Sequence, residues 1–548
     1  MIKRNSIAAL AALAATVPAA QAQTTLDRVD PSKVAAQAPR DAEHPTEASA
    51  PTTVAPADAN ASRSAPITVG AITIAGLQVL RPSDFADIFE IYVGRTLSPP
   101  ALAGLADALA QRAREKGFVL ASASIPAQPL TSGILRVDLD EGNIDAVRTR
   151  GGNNRAVIAA LQPLVGHGPV RQAELERRLL IAGDIDGLWL RRSRVLREGT
   201  RTVLEVDILP DPFSASVGID NSGSRLIGPL QADLTLRASQ LLADDDILSI
   251  TELVTPFEPS EFGYLRARYG KRISSDGTEF AVSASYARTH PGSYLLDRDI
   301  DGTSWTARLD LLHPLLRRRR ASLWVSGNIG IRTVRQDRQE VLARRDRLTV
   351  ARVGLNGFAD WAGGRLRSSA TLSQGLDLFD ATRAGDPLAS RRDADGTFTT
   401  VAFSADYTRP IVGRLSGQLA VASQVAFQPL LVSEEVGLGG SEFLRAYDYS
   451  ERSGDQGTMI SGELRWSVPG NVAFARKPIL YGFVDSGSVT NLRDGFGGGT
   501  LVSVGGGVRS RLGDILDADV GVAVPLSGER YDSGNADPVV NFRLTRRF

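Results

Sequence analysis

From Phe213 to Phe548 the chain shows no convincing helix. It carries instead about 16 segments of about 8 to 12 residues, each alternating apolar with polar side chains and each bounded by turn residues. Ala232, Leu234, Leu236 and Ala238 alternate with Gln231, Asp233, Thr235 and Arg237, and Ile460, Gly462, Leu464 and Trp466 alternate with Ser461, Glu463 and Arg465. One face is apolar and the other polar, a pattern that fits a soluble sandwich as well as a membrane barrel. The number of long strands in one run and the ending separate the two. The chain stops inside a strand with Val540, Phe542, Leu544 and the terminal Phe548 on one face, interrupted by Arg546. A barrel that closes on its last strand leaves no unpaired edge, so the reading is an all-β membrane barrel of about 16 antiparallel strands.

The N-terminus agrees with an extracytoplasmic destination. Lys3 and Arg4 precede an apolar run, Ile7 to Val17, and Ala20-Gln21-Ala22 reads as a cleavage site, so residues 1–22 are expected to be a signal peptide. No later apolar run reaches the roughly 18 to 20 residues of a spanning helix. Lys plus Arg equals Asp plus Glu, 62 against 62. Global charge therefore gives no reason to expect a nucleic-acid partner. The absence of Cys rules out disulfides and thiolate chemistry, and the four His are scattered. Neither a metal nor a cofactor is expected.

Residues 23–66 are rich in Ala, Pro, Thr and Asp and poor in large apolar side chains, which reads as a disordered tether. A short helix over Val29 to Gln37 would place Pro31 in its first turn. Two α+β units follow, residues 67–141 and 142–209, each in the order strand, helix, helix, strand, strand. In the first, Ser98 and Pro99 open a helix carrying Leu102, Leu105, Ala106 and Leu109, with Gly117 after its last turn, and Phe118 to Ile125 reads as a strand. The barrel occupies 210–548.

The longest Gly-rich excursion, 432–456, contains Gly437, Gly439, Gly440 and Leu444-Arg445-Ala446-Tyr447. Strand parity starts it on the outer side. Two strands later, Tyr481-Gly482-Phe483-Val484-Asp485-Ser486-Gly487 places Phe483 and Asp485 toward the lumen. An arginine on a loop folding inward can grip such a carboxylate through two parallel hydrogen bonds. Arg317 to Arg320 reads as a solvated periplasmic turn, and Gly505 to Gly507 as a place of close packing. No His-Glu-x-x-His, Gly-x-Ser-x-Gly or Walker pattern is present, so no enzyme is expected.

At these residues the chain resembles the two-partner secretion transporters, the haemolysin secretion/activation type, within the superfamily that joins POTRA domains to a barrel. The family's loop motif Val-Arg-Gly-Tyr is matched at Arg445 and Tyr447, with Ala446 departing from Gly, and Phe-x-Asp-x-Gly is matched at Phe483, Asp485 and Gly487. The resemblance extends over the two POTRA-like units, the Asp220-Asn221-Ser222-Gly223 turn and the C-terminal strand; the family's N-terminal plug helix is poorly matched. It implies a transporter in the outer membrane of a Gram-negative bacterium, with POTRA domains in the periplasm. These would capture an unfolded, large secreted exoprotein by its N-terminal secretion domain and pass it to the pore. Addition of an extended segment to a free sheet edge would serve that capture. Arg445, Tyr447, Phe483, Asp485 and Gly487 become the expected loop lock, and Phe542, Leu544 and Phe548 the barrel assembly signal. Expected partners are the exoprotein, outer-membrane lipids, the barrel assembly machinery and periplasmic chaperones, with the transporter a monomer. An insertase of the same superfamily is the alternative, and a passive porin is disfavoured by the long N-terminal extension.

Overall fold

The alternating segments close on themselves. In the computed structural model sixteen antiparallel strands, from Phe213–Asp220 to Val539–Arg547, pair in sequence order, and the last pairs with the first. The structure describes residues 25–38, 66–128, 133–199, 201–472, 475–493, 495–513 and 515–548; the expected signal peptide lies outside the described residues. Val217, Leu265, Trp305, Leu355, Leu419, Leu464 and Val522 face outward, while Asp233, Thr251, Ser304, Asn356, Glu463 and Asp485 are buried on the inner side. Closure gives each wall strand a hydrogen-bonded neighbour on both sides, as hydrocarbon requires. The closing seam is short, joining 543–547 to 216–220, and is extended by the Phe548 amide donating to the Ala215 carbonyl at 2.8 Å. Phe548 points outward, and the Arg546 guanidinium lies 4.3 Å from its ring centroid. The charge that interrupts the apolar face thus covers the terminal ring. Phe542 and Leu544 are half-buried on the same strand.

Residues 25–38 correct the tether reading. They form α1 (Thr25–Arg28) and α2 (Pro31–Ala35) inside the barrel, α2 lying against the strands Glu279–Thr289 and Ile300–Arg317. Pro31 occupies the first turn, and the Asp30 carboxylate caps the helix by accepting from the Ser32 amide at 2.8 Å. Val29 and Val34 pack with Leu226, Ile227, Leu253, Phe262, Leu295 and Ile300. The segment cannot make a core by itself, but the barrel supplies the apolar partners that composition cannot reveal. The rest of the proposed tether, 39–65, lies outside the described residues.

The first α+β module comprises β1 (Ile67–Thr68), β2 (Ala71–Ala75), α3 (Ala86–Tyr92), β3 (Thr96–Leu97), α4 (Pro99–Glu115), β4 (Ser122–Ser124) and β5 (Ile134–Asp140). Its main sheet runs β2-β5-β4, and α4 buries Leu102, Leu105, Ala106 and Leu109 with Leu135, Val137 and Leu139 of β5. Ser98 stands at the N-cap without a side-chain bond; Pro100 removes the amide of the second helical position, one of the two such a cap binds. Only Ser122–Ser124 of the expected Phe118–Ile125 strand is extended; Phe118 fills the core instead. The second module comprises β6 (Ala146–Arg150), α5 (Arg155–Leu161), α6 (Gln172–Gly183), β7 (Leu188–Glu198) and β8 (Arg201–Pro210), with sheet order β6-β8-β7. Only Asp211 and Pro212 separate β8 from the first barrel strand.

Arg317 corrects the reading of the four-arginine run. It is 1% exposed, and its guanidinium grips Asp184, just beyond α6, through bonds of 2.8 and 2.6 Å. Arg319 adds a 3.9 Å contact to Glu176, and Arg178 of α6 pairs with Asp276 at 2.8 Å. The turn is therefore where the second module docks against the barrel rim. A charge run in sequence carries no sign of the carboxylate 133 residues away that neutralises it.

Candidate functional site

The excursion 432–456 folds back into the barrel as a hairpin in which Val436–Leu438 pairs with Arg452–Gly454. Gly439 and Gly440 have φ of 105° and 110°, and a Cβ on Gly439 would lie 2.0 Å from the Asp448 carbonyl oxygen, so the bend requires glycine. Leu444 takes the left-handed conformation at φ 57°, and Ala446 is not among the residues of positive φ. The departure from glycine at 446 therefore imposes no backbone strain.

At the hairpin tip Arg445 meets the wall. Its Nε and Nη2 donate to Asp485 Oδ2 and Oδ1, each at 3.0 Å, and its backbone amide donates to Oδ2 at 3.2 Å. Nη1 donates to Glu463 at 2.6 Å, Nη2 to Ser461 at 3.2 Å, and the guanidinium lies 3.4 Å from the Phe483 ring centroid. The Asn541 side chain, on the closing strand, donates to the Arg445 carbonyl at 2.8 Å. Asp485 is fully buried and also accepts from Ser461 at 2.7 Å. Glu463 is gripped further by Arg465 and Arg509, each at 2.6 Å, and Arg509 reaches Asp519 at 2.9 Å. Three arginines and three carboxylates thus make one balanced cluster. Such a network costs desolvation, but once fully partnered it fixes one geometry, because removing any member strands a buried charge.

Apolar contacts complete the seat. Leu438, Leu444, Ala446 and Tyr447 pack with Phe483, Val489, Leu501 and Ala523. The Tyr447 hydroxyl lies 3.0 Å from Ser527 Oγ, tying the hairpin to the last outer loop. A Cβ at Gly487 would stand 2.9 Å from Leu444 Cδ1, 3.0 Å from Leu438 Cδ2 and 3.1 Å from Met459 Cγ, so that bare wall position accommodates the hairpin. Gly505 does the same for the Phe483 ring, whose Cζ would be 2.6 Å from a Cβ there.

The structure therefore brings Arg445, Tyr447, Phe483, Asp485 and Gly487 into one site. Phe542, Leu544 and Phe548 belong instead to the closing strand and its seam. Glu463, Ser461, Arg509 and Asp519 were not singled out from sequence. Glu463 has the lumen phase of its strand, but no motif distinguishes it from other inward polar residues.

The N-terminal segment is fastened to the same hairpin. Lys33 pairs with Glu435 at 3.0 Å, and Arg28 lies 3.0 Å from Asp532, 3.6 Å from Glu451 and 4.0 Å from the Tyr531 ring centroid. Asp27 reaches the wall at Arg344, at 2.5 Å. Burial beside Asp448 and Asp532 pushes the Glu451 carboxyl, in the loop outside the strands, up to about 7 despite Arg28.

Comparison with known proteins gives this arrangement its setting. Residues 200–510 match the family described as haemolysin secretion/activation protein ShlB/FhaC/HecB, and residues 67–142 match the ShlB-type POTRA domain. The chain is 25% identical over 457 residues to the outer membrane transporter CdiB of Escherichia coli, covering 77% of this chain and 73% of that one. It is 22% identical to the heme/hemopexin transporter protein HuxB of Haemophilus influenzae (strain 86-028NP), covering 70% and 69%. Among solved structures, CdiB from Escherichia coli superposes with a TM-score of 0.68 at 21% identity, over 89% of this chain and 91% of that one. BamA from Haemophilus ducreyi lacking POTRA domains 1–3 gives 0.53 at 13% identity, over 88% and 100%, and so shares the fold. A POTRA module, a closed sixteen-stranded barrel and a profile match across most of that barrel make this chain a member of the haemolysin secretion/activation ShlB/FhaC/HecB family, an outer-membrane transporter with its POTRA domains in the periplasm.

Proposed function

We propose that this chain exports one partner polypeptide by two-partner secretion: the POTRA domains take up an unfolded exoprotein in the periplasm and the barrel conducts it outward. The observation that carries the reading is the filled lumen. Two inward elements occupy it, one wedged on a balanced charge cluster and one inserted from the N-terminus, which suits a pore that is closed until cargo engages it. Among the described residues β2 of the first POTRA domain pairs only with β5, leaving its other edge for an extended segment of the cargo's secretion domain. Such capture rests on main-chain bonds and suits an unfolded client. Periplasmic chaperones would keep the client unfolded, and barrel assembly machinery would insert the transporter, which acts as a monomer. No covalent step is required, since folding of the cargo outside draws transport forward.

Deleting residues 67–209 should leave a heat-modifiable barrel in outer-membrane fractions and abolish appearance of the partner outside the cell. Continued export would remove the capture role. The insertase reading draws on the fold shared with BamA; it predicts that loss of this chain lowers the levels of other barrels, whereas export predicts loss of a single secreted protein.

A further inference from the structure

The open face of the second POTRA sheet changes character toward the barrel. Away from it, Arg148 and Arg194 pair with Glu205 at 2.8 and 3.0 Å, making an ion-paired surface that suits water. At the barrel end the same face presents Trp189 and Leu209, a cross-strand pair that is 63% and 39% exposed. Their neighbours Leu188, Leu190 and Ile208 point the other way, into the helix-covered core. Leu209 lies four residues before Phe213, so the two Cα atoms are at most about 14 Å apart. Phe213 is 59% exposed and shares the outward phase of Val217 on the first barrel strand. The exposed pair thus lies within that reach of the first outward-facing side chain of the barrel. The indole N–H donates to Asp211 at 2.8 Å, which fixes the ring and satisfies its polar edge while its apolar surface stays open. Arg191 and Arg192 are exposed at the strand irregularity beside Trp189.

We propose that Trp189 and Leu209 form a foot by which the second POTRA domain rests in the periplasmic leaflet of the membrane, with Arg191 and Arg192 on the phosphates of anionic phospholipids. Tryptophan beside cationic side chains is the composition that partitions to a lipid interface. The foot and the Arg317–Asp184 clasp hold the domain on its two faces, one by lipid and one by the barrel rim.

The chain contains no native cysteine, so single labels can be placed cleanly. The full chain carrying Leu209→Cys, and separately Trp189→Cys, would be nitroxide-labelled in nanodiscs of phosphatidylcholine with or without phosphatidylglycerol. Heat-modifiable migration would check folding. Val217→Cys marks the lipid-facing wall and Arg201→Cys the aqueous end of the domain. With phosphatidylglycerol present, labels at 189 and 209 should admit oxygen and exclude a nickel chelate as the label at 217 does. Without it they should shift toward the values at 201, and Arg191→Gln with Arg192→Gln should produce the same shift. Labels that match position 201 in both lipids would overturn the foot. Insertion equal in both lipids, or unchanged by the arginine substitutions, would overturn the anionic headgroup contact.

Discussion

Two elements fill the lumen, and they are held in different ways. The hairpin tip sits in a cluster where Arg445, Asp485 and Glu463 are all partnered and where the partners belong to rigid wall strands. The N-terminal segment packs on wall strands through apolar contacts, but its Arg28 and Lys33 ion pairs go to loops, and the Arg28 contact leaves Arg28 Nη1, Glu451 Oε2 and Asp532 Oδ2 buried without a hydrogen-bond partner. A satisfied buried network resists opening, whereas unsatisfied polar atoms regain water when they separate. The difference predicts a hairpin that stays seated and an N-terminal segment that withdraws. Because Glu435 and Glu451 belong to the hairpin, the fixed element is also the dock for the mobile one.

The largest effect is expected where the fixed element is undone. Arg445→Ala or Asp485→Ala leaves buried charges unpaired, at a local cost of about 3–5 kcal/mol. Export of the partner should fall at least about tenfold while barrel levels and heat-modifiable migration persist, a factor that corresponds to about 1.4 kcal/mol in the transport-competent state. Arg445→Lys should rescue only in part, because an ammonium cannot repeat the two-pronged grip or lie flat on Phe483. Export at wild-type rates from both alanine variants, measured in culture supernatants, would remove the lock as a functional element.

Undoing the plug should act oppositely. Arg28→Ala with Lys33→Ala removes its pairs to the hairpin loop and the last outer loop, and pairs of this kind contribute about 1–3 kcal/mol. Conductance of the purified protein in planar bilayers should rise about tenfold, equivalent to about 1.4 kcal/mol, with export retained. An unchanged conductance would mean that the plug is held by its apolar contacts.

Gly487→Ala sharpens the distinction at smaller scale. The added methyl meets Leu444, Leu438 and Met459 at 2.9–3.1 Å, and overpacking of this order costs about 1–3 kcal/mol. Export should drop severalfold with conductance little changed; normal export would show that the hairpin seat is adjustable.

The smallest effect is a pH dependence. Glu451 has its carboxyl raised to about 7 in the plugged state, against 4.5 ordinarily. Where withdrawal of the segment rehydrates Glu451 and returns its carboxyl to the ordinary range, the plugged state binds more protons between these values, and its stability falls as pH rises through that window. Conductance should increase between pH 5 and 8, and Glu451→Gln should flatten the change. A rise on acidification would reverse the assigned protonation.

What could be read in advance follows from how local each determinant is. Barrel strands announce themselves because two-residue alternation is written along each strand, and the Asp485 phase follows directly from it. Arg445 was legible through its motif and through the glycines that turn the loop. Glu463 carries the same lumen phase without a motif, so its place beneath Arg445 depends on a pairing across strands that spacing does not encode. The short helix at Pro31 was legible, but its seat inside the barrel was not, because Val29 and Val34 find their apolar partners more than 190 residues away on the barrel. Arg317 was misread for the same reason, since a turn arginine looks solvated until Asp184 is placed against it.

The contrast between fixed hairpin and mobile plug can be measured in one experiment on two cysteine pairs. Leu444→Cys with Gly487→Cys, joined by a short reducible bis-thiol crosslinker, would tie the hairpin to the wall, and Pro31→Cys with Gly302→Cys would tie the plug to it; a Cβ on the glycine stands 2.9 Å from Leu444 Cδ1 in one pair and 3.0 Å from Pro31 Cδ in the other. Partner export would be followed with the crosslinker in place and after reduction. The expected result is that the plug crosslink blocks export until it is reduced, while the hairpin pair exports at the same rate before and after reduction. Blockage by the hairpin crosslink, or free export past a crosslinked plug, would contradict the division between them.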